Sequence, residues 1–186
     1  MKEMIEEKDT ELVKRFLNGD ESAFNRIFSK YNKRVYWHVR KMLGSHEDAD
    51  EITQEVFITI YKKLGSFNFD SSLFTWIFRI ASNKSINYIR KRKVKNFFSL
   101  DDVKEIPENR NTEKEIEKNI DDAEKLNRLD TILETLPPKQ REVFALRHFE
   151  ELSYPEIAEI TGKSVGALKA NYFHALNKVK GNFNEK

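Results

Sequence analysis

The segment spanning residues 153–180 constrains the fold of this 186-residue chain most, because it is predicted to form two helices joined by a tight turn. Ser153 and Glu156 have the spacing of a capping box, which marks the start of a helix. Gly162 can adopt the positive φ that ends this helix, and Ser164 can cap the next one. The segment is therefore predicted to be a helical hairpin with a short, well-defined turn.

The second helix of this hairpin has two distinct faces. At 3.6 residues per turn, one face is apolar and carries Val165, Leu168, Tyr172, Ala175, Leu176 and Val179. The remaining surface presents an aromatic ring and cations, with no acid between Ile160 and Asn184. This pattern is typical of a helix-turn-helix that reads duplex DNA, although an ordinary surface helix with one stray aromatic would also fit. The predicted DNA-reading residues are Lys163, Ser164, Lys169, Ala170, Asn171, Phe173, His174 and Lys178.

Composition favours an all-α protein. Only six Gly and four Pro occur, and apolar residues recur at three-and-four spacing along most of the chain. Helices are predicted at 9–17, 22–42, 47–64, 73–94 and 139–149, with a further helix ending at Leu136. Cysteine is absent, so disulfides and thiolate metal sites are not available. Neither a signal-peptide core nor an apolar run of membrane-spanning length is present, so we expect a cytoplasmic protein without membrane insertion.

Charge is segregated along the chain. Residues 71–100 contain seven Lys or Arg and no acid, whereas residues 101–124 contain ten acids and four bases. This distribution predicts a polyanion-binding surface followed by an acidic, flexible linker. The sequence therefore predicts two small helical domains, 1–95 and 125–186, joined by a linker at 96–124, with the helix-turn-helix in the second domain.

A second nucleic-acid signal lies in residues 66–93, where five aromatic rings precede a run of cations. The rings are Phe67, Phe69, Phe74, Trp76 and Phe78. Rings beside Lys and Arg suit a site that stacks unpaired bases and holds the backbone, and two Asn side chains one turn apart could bond base edges. Core packing remains the alternative for any single ring. The predicted contacts are Phe67, Phe74, Trp76, Phe78, Arg79, Asn83, Asn87, Arg90, Lys91, Arg92 and Lys93.

Catalysis has little support in the sequence. The four His residues have no metal-ligand spacing, and the motifs of zinc proteases and serine hydrolases are absent. Gly162-Lys163-Ser164 imitates the end of a phosphate-binding loop, but Ile157 occupies the position of that motif's first glycine and the tripeptide follows a helix. We therefore expect no enzyme activity, no cofactor, no metal and no small-molecule substrate.

Four segments together resemble the extracytoplasmic-function class of the bacterial sigma-70 family. They are GDESAFNRIFSKY, DADEITQEVF, SSLFTWIFRIASNKSINYIRK and LPPKQREVFALRHFEELSYPEIAEITGKSVGALKANYFHAL. The resemblance implies a dissociable subunit that gives RNA polymerase core its promoter specificity and assists strand opening. It also implies contacts with promoter DNA, with flap-type elements of the polymerase and with an anti-sigma factor.

The same resemblance distributes these roles along the chain. Asp50, Glu51, Gln54 and Glu55 would dock on the coiled-coil of the largest polymerase subunit. Residues 67–87 would open and read the −10 element, residues 90–93 would hold its upstream edge, and residues 169–174 would read the −35 element. Ala170, Asn171 and His174 depart from the Arg or Ser common in relatives, so no −35 sequence is implied.

Three other classes of protein compete with this interpretation. A conventional helix-turn-helix regulator with an amino-terminal sensing or dimerisation domain would explain the carboxy-terminal domain equally well. It would not explain the aromatic and cationic residues of 67–93. An adaptor resembling an anti-sigma protein would explain the acidic helix but neither basic surface, and an enzyme has the weakest support.

Overall fold

The computed structural model describes residues 8–98 and 128–184, and the predicted all-α class is confirmed. The amino-terminal part contains α1 (Asp9–Leu17), α2 (Glu21–Leu43), α3 (His46–Lys63), a 3₁₀ turn (Leu64–Ser66) and α4 (Leu73–Phe98). The carboxy-terminal part contains α5 (residues 128–134), α6 (Pro138–Phe144), a π-helical segment (Ala145–Phe149), α7 (Tyr154–Thr161) and α8 (Val165–Asn184). Most of the predicted acidic linker, like the predicted start of the second domain at 125, lies outside the described residues.

Local signals in the sequence set the starts of α2 and α3. The Asp20 carboxylate accepts hydrogen bonds from Ser22 N at 3.0 Å and from Arg15 Nη2 at 2.6 Å. Hydrogen bonds from Ser22 and Arg15 lower the pKa of Asp20 to about 2. Ser45 caps α3 by accepting a hydrogen bond from the amide of Asp48. Because the helix starts there, its first turn carries acidic side chains, which the helix dipole favours.

The amino-terminal helices pack around an apolar core supplied mainly by α2, α3 and α4. On α3 the apolar residues repeat every four positions, and these core-facing side chains are at most 4% exposed. The core-facing side chains of α3 pack against fully buried residues of α2 and α4. These core residues are Ile27, Val35, Val39, Ile52, Val56, Ile60, Ile77 and Ala81. A polar residue, His38 of α2, is also 2% exposed inside this core.

The carboxy-terminal helices pack α8 against α5 and α6. Phe144 lies at the centre of this packing, and its ring stacks on Tyr172 with centroids 5.9 Å apart. Leu168, Ala175 and Val179 of α8 are buried, as the periodicity predicts, whereas Val165 is 36% exposed because it lies at the start of the helix. None of the described helices is both long and apolar enough to cross a bilayer.

The two domains contact each other along α2 and α4. Helix α4 packs against α7, and α2 packs against the π-helical segment. Arg141 of α6, only 6% exposed, donates to Met42 O at 2.6 Å and also bonds the carbonyls of Glu134 and Leu136. Since Met42 lies in the last turn of α2, this guanidinium satisfies a carbonyl that the helix itself leaves unpaired.

Candidate nucleic-acid and protein interfaces

The acidic side of α3 is open to solvent. Asp50, Glu51 and Gln54 are exposed and point away from the core stripe of the helix. Glu55 is less available, because Lys84 Nζ lies 2.7 Å from its Oε2. The predicted docking residues therefore share one surface, on which Glu55 is paired with Lys84 of α4.

An open groove of about 460 Å³ lies beside this acidic surface, between α2 and α3. Its walls include Phe28, Tyr36 and Phe57, and Gln54 lines its edge. The hydroxyl oxygen of Tyr36 lies 2.7 Å from His46 Nδ1. Burial, together with the charge of Asp50, raises the pKa of Tyr36. The groove offers aromatic walls and a polar rim on which Asp50 is the acid and Lys33 the base.

The loop before α4 presents an aromatic cluster. Phe67 is 6% exposed and lies between Phe69 and Trp76, with ring centroids 4.9 and 5.4 Å away. Phe69 is 41% exposed and has φ +63, a left-handed conformation that costs free energy for a bulky residue. The sequence prediction chose Phe67 as a contact residue and omitted Phe69, yet Phe69 is the ring that the loop holds out to solvent.

The rings on α4 divide between core and surface. Phe78 is completely buried against His38 and Phe74, so its assignment to the DNA-contacting set is wrong and the residue belongs to the core. Phe74 is partly exposed, and the guanidinium carbon of Arg34 lies 4.4 Å from its centroid. Arg34, which no sequence pattern singled out, thus lies over a predicted base-contacting ring.

Polar residues of α4 continue this surface towards the helix end. Asn83 and Asn87 are exposed one turn apart, followed by exposed Arg90, Lys91 and Lys93. These residues form a polar and cationic strip on one helix, as the sequence predicts.

Two further predicted cations are held within the protein. Arg92 pairs with Asp48 at 3.1 Å, and Asp48 also accepts from the Tyr88 hydroxyl at 2.6 Å. Burial and the hydrogen bond to Asp48 raise the pKa of Tyr88 to about 12. Arg79 donates to the carbonyl of Glu159 in α7 at 2.6 Å. Both side chains stay exposed, and each keeps N–H donors outside these bonds that can contact a phosphate.

The helix-turn-helix forms as its local signals predict. Both halves of the capping box between Ser153 and Glu156 are present, and these hydrogen bonds lower the pKa of Glu156. Gly162 ends α7 with φ +68, and Ser164 Oγ accepts from Ala167 N at 3.3 Å at the start of α8. The turn thereby fixes the angle at which α8 leaves α7.

Helix α8 exposes a compact set of side chains for a partner. Phe173 is 59% exposed, and the rings of Phe173 and His174 lie edge to face at 5.8 Å. Lys169 and Ala170 are also exposed. Asn171 is partly buried, and its Nδ2 donates one hydrogen bond to Ala167 O of its own helix at 2.8 Å.

The two outer lysines of the predicted duplex-reading set have structural partners. Lys163 Nζ lies 2.7 Å from Glu142 Oε2, whose side chain is 3% exposed. Lys178 Nζ donates to Thr135 O, near the end of α5, at 3.0 Å. These contacts join the turn before α8 and α8 itself to the rest of the domain, which a sequence pattern could not reveal because both partners lie more than 20 positions away.

No cluster of His, Asp or Glu able to hold a metal occurs within residues 8–98 and 128–184. The fold and its surfaces define a two-domain helical protein with an aromatic and cationic surface in one domain and a helix-turn-helix in the other.

Comparison with known proteins assigns the family. Residues 27–94 match the family described as Sigma-70 region 2, and residues 126–179 match Sigma-70, region 4. The RNA polymerase sigma-H factor of Pseudomonas aeruginosa is 30% identical over 95% of this chain and 94% of the relative. The ECF RNA polymerase sigma-E factor of Escherichia coli K12 is 33% identical over 92% of each chain. The chain belongs to the sigma-70 family of RNA polymerase sigma factors, in its extracytoplasmic-function class.

Two solved structures share the fold. CnrH in complex with the cytosolic domain of CnrY has a TM-score of 0.70 and 22% identity, covering 95% of this chain and 97% of that one. The sigma factor RpoE in complex with the anti-sigma factor NepR, from Bartonella quintana, has a TM-score of 0.70 and 21% identity, covering 88% and 98%. At these identities the likeness establishes the all-helical fold alone.

Proposed function

We propose that this chain directs RNA polymerase core to a defined set of promoters and assists strand opening there, acting in the cytoplasm with the polymerase. The observation that carries this proposal is the division of surfaces between the domains. One domain presents aromatic rings and cations suited to unpaired bases, and the other presents an outward helix suited to the major groove. A conventional helix-turn-helix regulator would need the second surface, but its function would not require the first.

The acidic surface of α3 would dock on the coiled-coil of the largest polymerase subunit. Asp50, Glu51 and Gln54 are exposed, and the adjoining groove offers Phe28 and Phe57 to an apolar side chain. A helix that carries cations around one apolar residue would complement both features. Glu55 contributes less to this surface, because Lys84 already neutralises it.

Strand opening would depend on the loop before α4 and on the outward residues of α4. Phe69 is the ring best placed to stack on an extruded base, and it packs on Phe67, which in turn packs on Trp76. Asn83 and Asn87 would bond base edges while the exposed cations at 90, 91 and 93 hold the backbone upstream. The chain itself would catalyse no step, since nucleotide addition belongs to the core enzyme.

The −35 element would be read by α8. Phe173 and His174 are neighbouring exposed rings on α8, and an exposed Phe suits the methyl group of thymine. Ser164 and Lys169 lie at the end of the helix where a recognition helix meets the backbone. The carboxy-terminal domain would also rest on a flap-type element of the polymerase, and an anti-sigma factor would hold the free chain, as NepR holds its sigma factor.

Reconstituted transcription tests this proposal directly. Core polymerase free of other sigma factors is mixed with the purified chain and fragmented genomic DNA, and the transcript starts are sequenced. We expect initiation at a shared sequence motif and none from core alone. An Asp50→Lys, Gln54→Lys variant should lose core binding by about tenfold or more while keeping its helical circular dichroism. Transcripts that start at random positions, or at the same positions in reactions without the chain, would contradict the proposed promoter-directing function.

A further inference from the structure

Two side chains of α4 converge on the carboxylate of Asp48, in the first turn of α3. The hydroxyl of Tyr88 donates to Oδ1 at 2.6 Å, and Arg92 Nη1 donates to Oδ2 at 3.1 Å. The amide of Asp48 donates to Ser45 Oγ at 3.3 Å, which fixes the backbone beneath this carboxylate. Both oxygens of Asp48 are therefore engaged, and their orientation is set by α3 and α4 together.

Asp48 differs from the acids that follow it on α3. Its side chain is 20% exposed and bonds to α4, whereas Asp50 and Glu51 are exposed on the open acidic surface. A second acid–cation pair, Glu55 with Lys84, joins the same two helices, but there the carboxylate is 46% exposed. Asp48 is thus more enclosed than Glu55, and it meets α4 beside the cations at 90–93.

The end of α4 that carries these cations has little burial of its own. Residues 90–95 are all exposed, although the helix continues to Phe98. A helix end with few buried contacts opens more readily than the core of a domain. Tyr88 and Arg92 lie one turn apart on the face towards α3, so their bonds to Asp48 restrain the helix where its burial ends.

The bond to Asp48 also restricts the direction of the Arg92 guanidinium. This group is planar and carries several N–H donors, so a carboxylate that binds one nitrogen limits the orientations of the others. The side chain of Arg92 is 44% exposed, and its remaining donors can reach a phosphate. A carboxylate behind an arginine therefore holds the guanidinium ready for an anion.

We propose that Asp48 is a positioning residue for DNA binding at the upstream edge of the −10 element, where it holds Arg92 in the orientation that contacts a backbone phosphate. This inference rests on the proposed function, because it deepens the role given there to the end of α4. Asp48 itself contacts no DNA. Its role is separate from that of Asp50 and Glu51, which share its short acidic segment but lie on the docking surface.

Asp48→Asn separates positioning from simple electrostatics. The amide keeps the size of the side chain but loses its charge, and its NH2 group cannot accept a hydrogen bond from Tyr88 or Arg92. Charge alone predicts tighter binding to DNA, because an acid beside the cationic strip is removed. Positioning predicts the opposite, and we expect the affinity for promoter DNA to fall about threefold to tenfold, since Arg92 itself remains.

The test uses holoenzyme reconstituted from core polymerase and the full chain, with a promoter recovered by transcription. Two templates are pre-melted over the −10 element; one carries the whole promoter, and the other ends at the upstream edge of that element. Asp48→Asn should weaken binding to the whole promoter and keep the parent's affinity for the shortened template. Its affinity for core should match that of the parent, because its carboxylate bonds to α4 and lies off the docking surface. A folding defect would weaken binding to both templates alike.

A second measurement determines whether Asp48 acts through Arg92. In an Arg92→Gln background, Asp48→Asn should lose most of its effect on binding to the whole promoter. In a Lys93→Gln background, the matched control at the adjacent exposed cation, the full effect should remain.

Support requires a loss of affinity for the whole promoter that is absent on the shortened template and largely absorbed by Arg92→Gln. Unchanged or tighter binding to the whole promoter, equal loss on both templates, or equal loss in both cation backgrounds overturns the inference. A parent holoenzyme that selects no promoter would overturn the proposed function, and this inference with it. A parent that selects promoters while Asp48→Asn binds them equally well overturns the inference alone.

Discussion

Acidification should destabilise the amino-terminal domain through a single buried imidazole. His38 is 2% exposed in the core of the bundle, where its Nε2 lies 3.0 Å from Ser82 Oγ and its Nδ1 has no hydrogen-bond partner in the described structure. The ring also packs on Phe78 at 5.3 Å. Burial lowers the pKa of His38 from 6.5 to about 4, because the core cannot solvate an imidazolium.

The magnitude follows from proton linkage. The folded state keeps His38 neutral, whereas the unfolded chain takes up a proton below pH 6.5. The stability that depends on neutral His38 is therefore fully present above pH 6.5 and is lost progressively as the pH falls towards 4. At about pH 5 the loss is about 2 kcal/mol, since each pH unit in this interval contributes about 1.4 kcal/mol.

Urea unfolding at about pH 7.5 and about pH 5 measures this loss. Trp37 and Trp76, the two tryptophans of the chain, lie in this domain and report its unfolding by fluorescence. Between the two pH values, the free energy of unfolding of the parent should fall by about 2 kcal/mol more than that of His38→Gln. Ile27→Val, a core substitution without a titrating group, should keep the parent's pH dependence. Equal losses in the parent and His38→Gln would refute the argument, and a pKa of His38 measured near 6.5 by NMR would refute it independently.

The remaining predictions concern three single substitutions, at Phe69 in the loop before α4, at Phe173 on α8 and at Ser153, which caps α7. Phe69→Ala should slow open-complex formation on duplex promoters, with a loss of about 1–3 kcal/mol from one stacking contact, and a pre-melted promoter should restore most of it; equal loss on both templates would contradict a role in opening. Phe173→Ala should change the −35 sequence recovered from a randomised promoter library, by about 1–3 kcal/mol per discriminated base, and an unchanged motif would exclude Phe173 from base reading. Ser153→Ala should lower the stability of the carboxy-terminal domain by about 1 kcal/mol through loss of the cap, as seen in thermal unfolding by circular dichroism, whereas Ser153→Thr should retain most of it.

Helices whose signals are local could be predicted from the sequence. The α1 range of 9–17 agrees with the structure, and the capping box and Gly162 fix the helix-turn-helix. Helix α4 was predicted to end near Val94 but extends to Phe98, because no glycine or proline stops it there. The helix predicted at 139–149 changes to π-helical geometry at Ala145, for which the sequence offers no marker.

The candidate site was predicted in outline, and its details depend on tertiary contacts. Spacing placed Asn83, Asn87 and Phe173 on outward faces, since a helix repeats every 3.6 residues. Spacing could not separate buried Phe78 from exposed Phe69, because their exposure depends on α2 and on the fold of the loop. The domain contacts through residues such as Glu150 join positions more than 100 residues apart and leave no periodic signal.

The occupied lysines of the helix-turn-helix have a consequence for counterion release. Binding to DNA weakens with added salt in proportion to the number of phosphates that free cations neutralise. Lys163 and Lys178 are held by Glu142 and by the Thr135 carbonyl, whereas the cations at 90, 91 and 93 of α4 are exposed. The slope of affinity against salt concentration should therefore arise mainly from these α4 cations and from Lys169, which is exposed on α8. Discrimination among −35 sequences, carried by the rings of α8, should persist at ionic strengths that already weaken the grip of α4.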